Sequence, residues 1–158
     1  MLRISKLTDY GTVILANLAN APERLHAAAE VAEQTRLALP TVSKLLKELQ
    51  RAGLVTSTRG ARGGYRLTRP PTAISAASIL DALEGPVAIT ECSGKDSHCG
   101  IEHVCRVGRV WQRVNVAIRR ALNDLTLAQL AGLESGAMRV PDLAVELRGP
   151  RPLPRADR

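Results

Sequence analysis

The sequence predicts a mainly α-helical protein, on three observations. Apolar residues recur at helical spacing in four short segments, β-pattern is confined to one glycine-rich hairpin, and a heptad seam runs through the second half. The chain has 158 residues, 45% of them hydrophobic, which is enough apolar material for a packed core. Aromatic residues are nearly absent, with Tyr10, Tyr65 and Trp111 and no Phe. That argues against recognition of single-stranded nucleic acid by base stacking, which needs ring platforms. The 22 Lys+Arg against 15 Asp+Glu give a formal net charge of +7 and a pI near 10.0, pointing to a polyanionic partner.

The first helical segment is Leu7–Asn20, where Leu7, Tyr10, Val13, Ile14 and Leu18 form an apolar face and Thr8 or Asp9 can cap the start. Ala27–Thr35 is a short helix with Ala28, Val31 and Ala32 inward. A turn over Arg36–Leu39 leads to Pro40, suited to the first turn of a helix that runs to about Ala52. Val42, Leu45, Leu46 and Leu49 line its apolar face, Thr41, Ser43, Lys44, Lys47, Glu48 and Arg51 the other, and Gly53 ends it. Leu54–Thr58 and Tyr65–Thr68 then read as strands around the tip Arg59-Gly60-Ala61-Arg62-Gly63-Gly64.

Helix, short helix, turn, exposed helix and hairpin, in that order, is the layout of a winged helix-turn-helix. In such a unit the second helix of the pair enters the major groove of duplex DNA. A slim hairpin tip carrying arginines enters the adjacent minor groove. On this reading Thr41, Ser43, Lys44 and Lys47 face the major groove, and Arg59 and Arg62 belong to the wing. The charge agrees with that placement. Residues 1–70 carry a net +6, residues 71–131 are neutral, and residues 132–158 carry +1.

Beyond Pro70-Pro71, Ser75–Glu84 reads as a further helix with Ile79, Leu80 and Leu83 apolar, stopped by Gly85-Pro86. Val104, Val107, Trp111, Val114, Ile118, Ala121 and Leu125 then recur at alternating spacings of 3 and 4. A stripe of that length is more than a small domain covers by itself, so the expected partner is the same helix of a second copy in a two-fold dimer. The expected divisions are a DNA-binding domain over 1–72, a sensor loop and dimerisation helix over 73–131, and a largely disordered, proline-rich tail over 132–158.

Cys92, Cys99 and Cys105 fall within 14 residues in the pattern C-x6-C-x5-C, with His98 and His103 between them. Thiolates this close suit a soft metal centre. Structural zinc commonly uses tighter cysteine pairs, whereas wider gaps suit an iron–sulfur cluster. A metal-free thiol switch and a Cys–His nucleophile are the other readings these residues leave open. The longest uncharged run near the start, Tyr10–Pro22, has 13 residues, short of the roughly 18 that cross a bilayer. The run imitates an export signal. However, Asp9 precedes it, and cleavage would leave an odd number of cysteines in an oxidising compartment. A cytoplasmic protein is expected, with no membrane partner and no small-molecule substrate.

Leu2–Ala16 (LRISKLTDYGTVILA), Pro40–Leu54 (PTVSKLLKELQRAGL), Arg59–Leu67 (RGARGGYRL), the three-cysteine loop and Asn123–Leu130 (NDLTLAQL) together resemble the Rrf-type winged helix-turn-helix regulators. That group includes the IscR and NsrR iron–sulfur sensors. The resemblance spans residues 1 to about 132, and the opening residues look most like the branch controlling Suf-type cluster assembly. It implies a homodimeric regulator of duplex operator DNA, not an enzyme. Cys92, Cys99 and Cys105 would hold a 2Fe–2S or 4Fe–4S cluster. The family more often has C-x5-C-x5-C, so this chain carries one extra residue between its first two cysteines. IscR-like members place a histidine three residues after the third cysteine, where this chain has Gly108. NsrR-like members take a carboxylate from the partner's first helix, a position matched by Asp9, with His103 and then His98 as alternatives. The resemblance also admits a nitric oxide- or redox-responsive repressor.

Overall fold

The computed structural model describes residues 4–60, 62–86, 88 and 106–134, and of these the side chains of Arg106 and Arg109 are left aside. Its elements are helices α1 (Lys6–Ala19), α2 (Ala28–Thr35) and α3 (Leu39–Arg51), strands β1 (Val55–Thr58) and β2 (Gly64–Leu67), and helices α4 (Ala76–Leu83), α5 (Arg106–Asp124) and α6 (Leu127–Leu130). This is the mainly helical winged-helix architecture that the sequence predicts. The three cysteines, His98, His103 and Val104 lie outside the described residues, as does the tail beyond Glu134.

α3 shows why the pattern is legible. Val42, Leu45, Leu46 and Leu49 stand on one stripe and are all fully buried. Burying four aliphatic side chains contributes roughly 6–10 kcal/mol before conformational entropy is subtracted. Pro40 sits in the first turn, where its missing N–H costs nothing, and Gly53 follows the last turn with φ +74. α2 brings Val31 and Ala32 to the same core, and Leu54, Val55 and Leu67 of the hairpin close it from below.

α1 departs from the predicted face. Leu7 and Val13 are each 41% exposed, and the buried stripe is Thr8, Gly11, Ile14, Leu15, Leu18 and Ala19. Gly11 is the reason for the rotation. α4 approaches so closely that a Cβ there would lie 2.4 Å from Leu83 Cδ1, so the glycine side of α1 faces inward. The start of α1 is also corrected. Its cap is Ser5, whose Oγ accepts the N–H of Thr8 at 3.2 Å, not Thr8 or Asp9.

The chain after the hairpin returns to the same core. Ile74, Ile79 and Leu127 are all buried in the cluster that Ile14 and Leu45 belong to. α6 is held there by two backbone hydrogen bonds, Ala76 N–H to Leu125 O at 2.8 Å and Leu127 N–H to Ile74 O at 2.7 Å. Thr126 and Gln129 close a reciprocal capping box at its start.

Candidate nucleic-acid interface

α2 ends and α3 begins across a turn whose first residue is Arg36, with φ 58 and ψ 26. Among the described residues it is the one non-glycine at positive φ, a conformation that costs an L-residue roughly 1 kcal/mol. The sequence places a turn over Arg36–Leu39, but nothing in residue type announces its left-handed backbone. α3 then presents Lys44 and Lys47 to solvent, with Thr41 and Ser43 half-buried beside them. Lys44 Nζ stands 4.0 Å from Glu48 Oε1 with its side chain 63% exposed. A pair this open is worth little, so the ammonium is available to a phosphate.

The wing is an antiparallel pair in the register Val55 with Leu67, Thr56 with Arg66, Ser57 with Tyr65 and Thr58 with Gly64. Its tip is narrow by construction. Gly63 N–H donates to Gly60 O at 2.9 Å, and a Cβ on Gly63 would lie 2.2 Å from Thr58 O. Arg59 and Arg62 flank that tip and are exposed, as is Arg66 on β2.

A buried histidine docks the wing onto the helices. His26 is 2% exposed, its N–H donates to Tyr65 O at 2.8 Å, and its carbonyl accepts from Tyr65 N–H at 2.9 Å. Gly64 permits the approach, since a Cβ there would sit 2.7 Å from His26 O. His26 Nε2 lies 3.0 Å from Ala21 O, which can only accept, so Nε2 carries the proton and Nδ1 accepts from Arg24 at 3.2 Å. Arg24 also pairs with Glu30 and holds that carboxyl below its usual range. The sequence reading missed His26, because its partner lies 39 residues away on β2.

At the other end of the domain, Asp9 stands exposed in the first turn of α1. Glu84, just past α4, clamps this turn. Its Oε1 accepts the Ser5 N–H at 2.8 Å and the Thr8 hydroxyl at 2.5 Å, and these bonds hold the Glu84 carboxyl below its usual range. The start of α1 and the chain leading toward the cysteines are therefore tied together. No group of three or more potential metal ligands occurs among the described residues.

α5 has 19 residues and spans about 28 Å. Val107 and Trp111 of the predicted seam are 59% and 41% exposed, and Val110 beside them is 59% exposed. Val114, Ile118 and Ala121 are half-buried. Arg119 anchors the helix to α4 with a two-pronged bond to Asp81, at 3.0 Å and 2.5 Å, which raises the Arg119 pKa further. No helix among the described residues is long and apolar enough to cross a membrane.

A helix-turn-helix with a basic outer face, followed by a docked basic hairpin, defines a winged-helix transcription regulator. The particular family follows from comparison with known proteins. Residues 4–132 match the model of Rrf2, described as an iron-dependent transcriptional regulator, and the chain belongs to that family. It is 31% identical over 130 residues to protein rrf2 of Nitratidesulfovibrio vulgaris, covering 82% of this chain and 87% of that one. Among solved structures it is similar to CymR, the global cysteine regulator of B. subtilis, at 32% identity and TM-score 0.65, covering 85% of this chain and 100% of that one. It is also similar to T. potens IscR, at 31% identity and TM-score 0.63, covering 86% and 93%.

Proposed function

We propose that this chain works as a homodimer that binds duplex operator DNA through α3 and the wing and reports iron–sulfur status. Residues 1–72 would read the DNA, 73–131 would sense and dimerise, and 132–158 would form a tail. Thr41, Ser43, Lys44 and Lys47 face the major groove on this reading, and Arg59 and Arg62 the minor groove. Cys92, Cys99 and Cys105 would hold the cluster, with Asp9 of the partner subunit completing it. The similarity to IscR supports this reading, as does the chain's own donor set, three thiols within 14 residues. Suf-type assembly genes are the proposed target.

The observation that supports the sensing role is the donor set, three thiols within 14 residues, and the Glu84 clamp fixes the turn that carries Asp9. The clamp joins that turn to the end of α4, from which the chain runs on toward the cysteines. When bound, the cluster would supply an oxidant- and nitric oxide-labile group. Cys92, Cys99 and Cys105 together with the partner's Asp9 would hold it, and the α1 that carries Asp9 packs directly on α3, the helix proposed to face the DNA.

Anaerobic purification tests this. The expected protein is brown, with iron and sulfide near stoichiometric, and Asp9→Ala loses absorbance faster than wild type. One zinc per chain in a colourless protein overturns the cluster. Metal-free protein whose DNA affinity follows peroxide favours the thiol switch instead, a reading that the similarity to the cysteine regulator CymR also supports. Lys44→Ala and Lys47→Ala are each expected to weaken DNA binding and to lower the slope of log K against log salt by about 1 per lost phosphate contact.

A further inference from the structure

Arg36 stands where the chain turns from α2 into α3, in the left-handed region that favours glycine. Its own backbone is settled locally, with its N–H bonded to Glu33 O at 3.3 Å. The side chain is exposed, and the ion pairs among the described residues are Arg24–Glu30, Lys44–Glu48 and Arg119–Asp81, none of which involves it. A strained backbone thus carries a long cationic side chain that the fold itself does not use. The left-handed conformation is a common way for a helix to end, here α2, so it is the exposed, unused guanidinium and not the strain that points to a ligand.

Its position says which function. Arg36 lies three residues ahead of Leu39, the first residue of α3, and α3 has no acidic residue in its first turn. Lys44 and Lys47 are exposed further along α3. When the N-terminal half of such a helix enters the major groove, the turn before it is carried against the phosphate strand that edges the groove. A guanidinium there meets a phosphate with two parallel hydrogen bonds.

We propose that Arg36 is a phosphate clamp. It sets how α3 enters the groove and adds affinity without reading sequence. The proposal rests on the DNA-binding reading above, and it makes Arg36 a contact additional to Thr41, Ser43, Lys44 and Lys47 of α3.

The test uses the full-length protein and duplex DNA selected by the wild type from a random pool, with affinity measured across about 50–200 mM salt. Arg36→Gly relieves the left-handed strain while removing the charge, so stability and affinity should part company. Its thermal midpoint is expected to equal wild type or exceed it by about 3 °C. Its affinity is expected to fall about tenfold, with a salt slope lower by about 2 for the two copies in a dimer. Arg36→Lys is expected to keep most of the slope, and Arg36→Ala to lose it.

Wild-type affinity and slope in Arg36→Gly would overturn the clamp while leaving DNA binding intact. A loss of affinity with an unchanged slope and a lowered midpoint would make Arg36 a structural turn residue instead. Wild-type protein that retains no duplex at low salt would overturn the DNA-binding reading itself, and the clamp with it.

Discussion

Replacing Gly64 with alanine tests how the wing is held. The added Cβ would sit 2.7 Å from His26 O and 2.8 Å from His26 C, both backbone atoms that cannot rotate away. β2 must therefore move off the His26 segment, which breaks the paired bonds of 2.8 Å and 2.9 Å between His26 and Tyr65. Two backbone hydrogen bonds are worth about 2 kcal/mol together, and disturbing the buried imidazole adds about 1. Stiffening of the unfolded chain by alanine returns roughly 0.5 kcal/mol, so the net loss is about 2–3 kcal/mol.

Urea unfolding measures that loss, and amide exchange of His26 and Tyr65 shows where it arises. Gly60→Ala is the control. Its φ is +112 and nothing lies within 4 Å of the added Cβ, so only the backbone term of about 1–2 kcal/mol applies. In that variant the two amides stay protected, whereas in Gly64→Ala they exchange quickly. A Gly64→Ala protein within about 0.5 kcal/mol of wild type, with both amides protected, would refute the docking argument.

Three further outcomes follow from the contacts around α1, α4 and α5. Glu84→Gln removes a charged acceptor from Ser5 and Thr8, and discounting for exposure it should cost about 1 kcal/mol at neutral pH. The Thr8 and Ser5 hydrogen bonds hold the folded Glu84 carboxyl below its ordinary 4.5. Its stabilisation is therefore fully present above pH 4.5 and is lost as pH falls from there through the lower folded value. Melting curves of wild type and variant should converge in acid, and a gap that widens there would contradict the clamp. Arg119→Ala should cost about 1 kcal/mol and leave Asp81 unpaired, with the loss in α4–α5 packing read by amide exchange along α5. Trp111→Glu puts a charge on the exposed end of α5. If the proposed dimer forms through that helix, sedimentation should show dimer for wild type and monomer for the variant, and an unchanged dimer would move the interface elsewhere.

What the sequence determined by itself is local. The buried stripe of α3, the proline at its start, the glycine after its end and the hairpin with its basic tip all depend on residues within a few positions of one another. Periodicity and turn chemistry report such features faithfully. The heptad seam belongs to the same class, and α5 carries it over the described residues from Val107 to Ala121.

The tertiary structure decided whatever depends on distant partners. α1 turned Leu7 and Val13 outward because Gly11 admits Leu83, 72 residues later, a contact that no periodicity within α1 can signal. The acceptor for Thr8 is Glu84, 76 residues away, and the wing is fastened by a histidine that precedes it by 39 residues. The left-handed turn at Arg36 also shows only in the folded chain. Its residue type disfavours that conformation, which it adopts as the cap that ends α2, with its N–H bonded to Glu33 O. Composition located the charge and the sequence placed Arg36 in the turn before α3, but only the packed chain put that residue in the left-handed conformation.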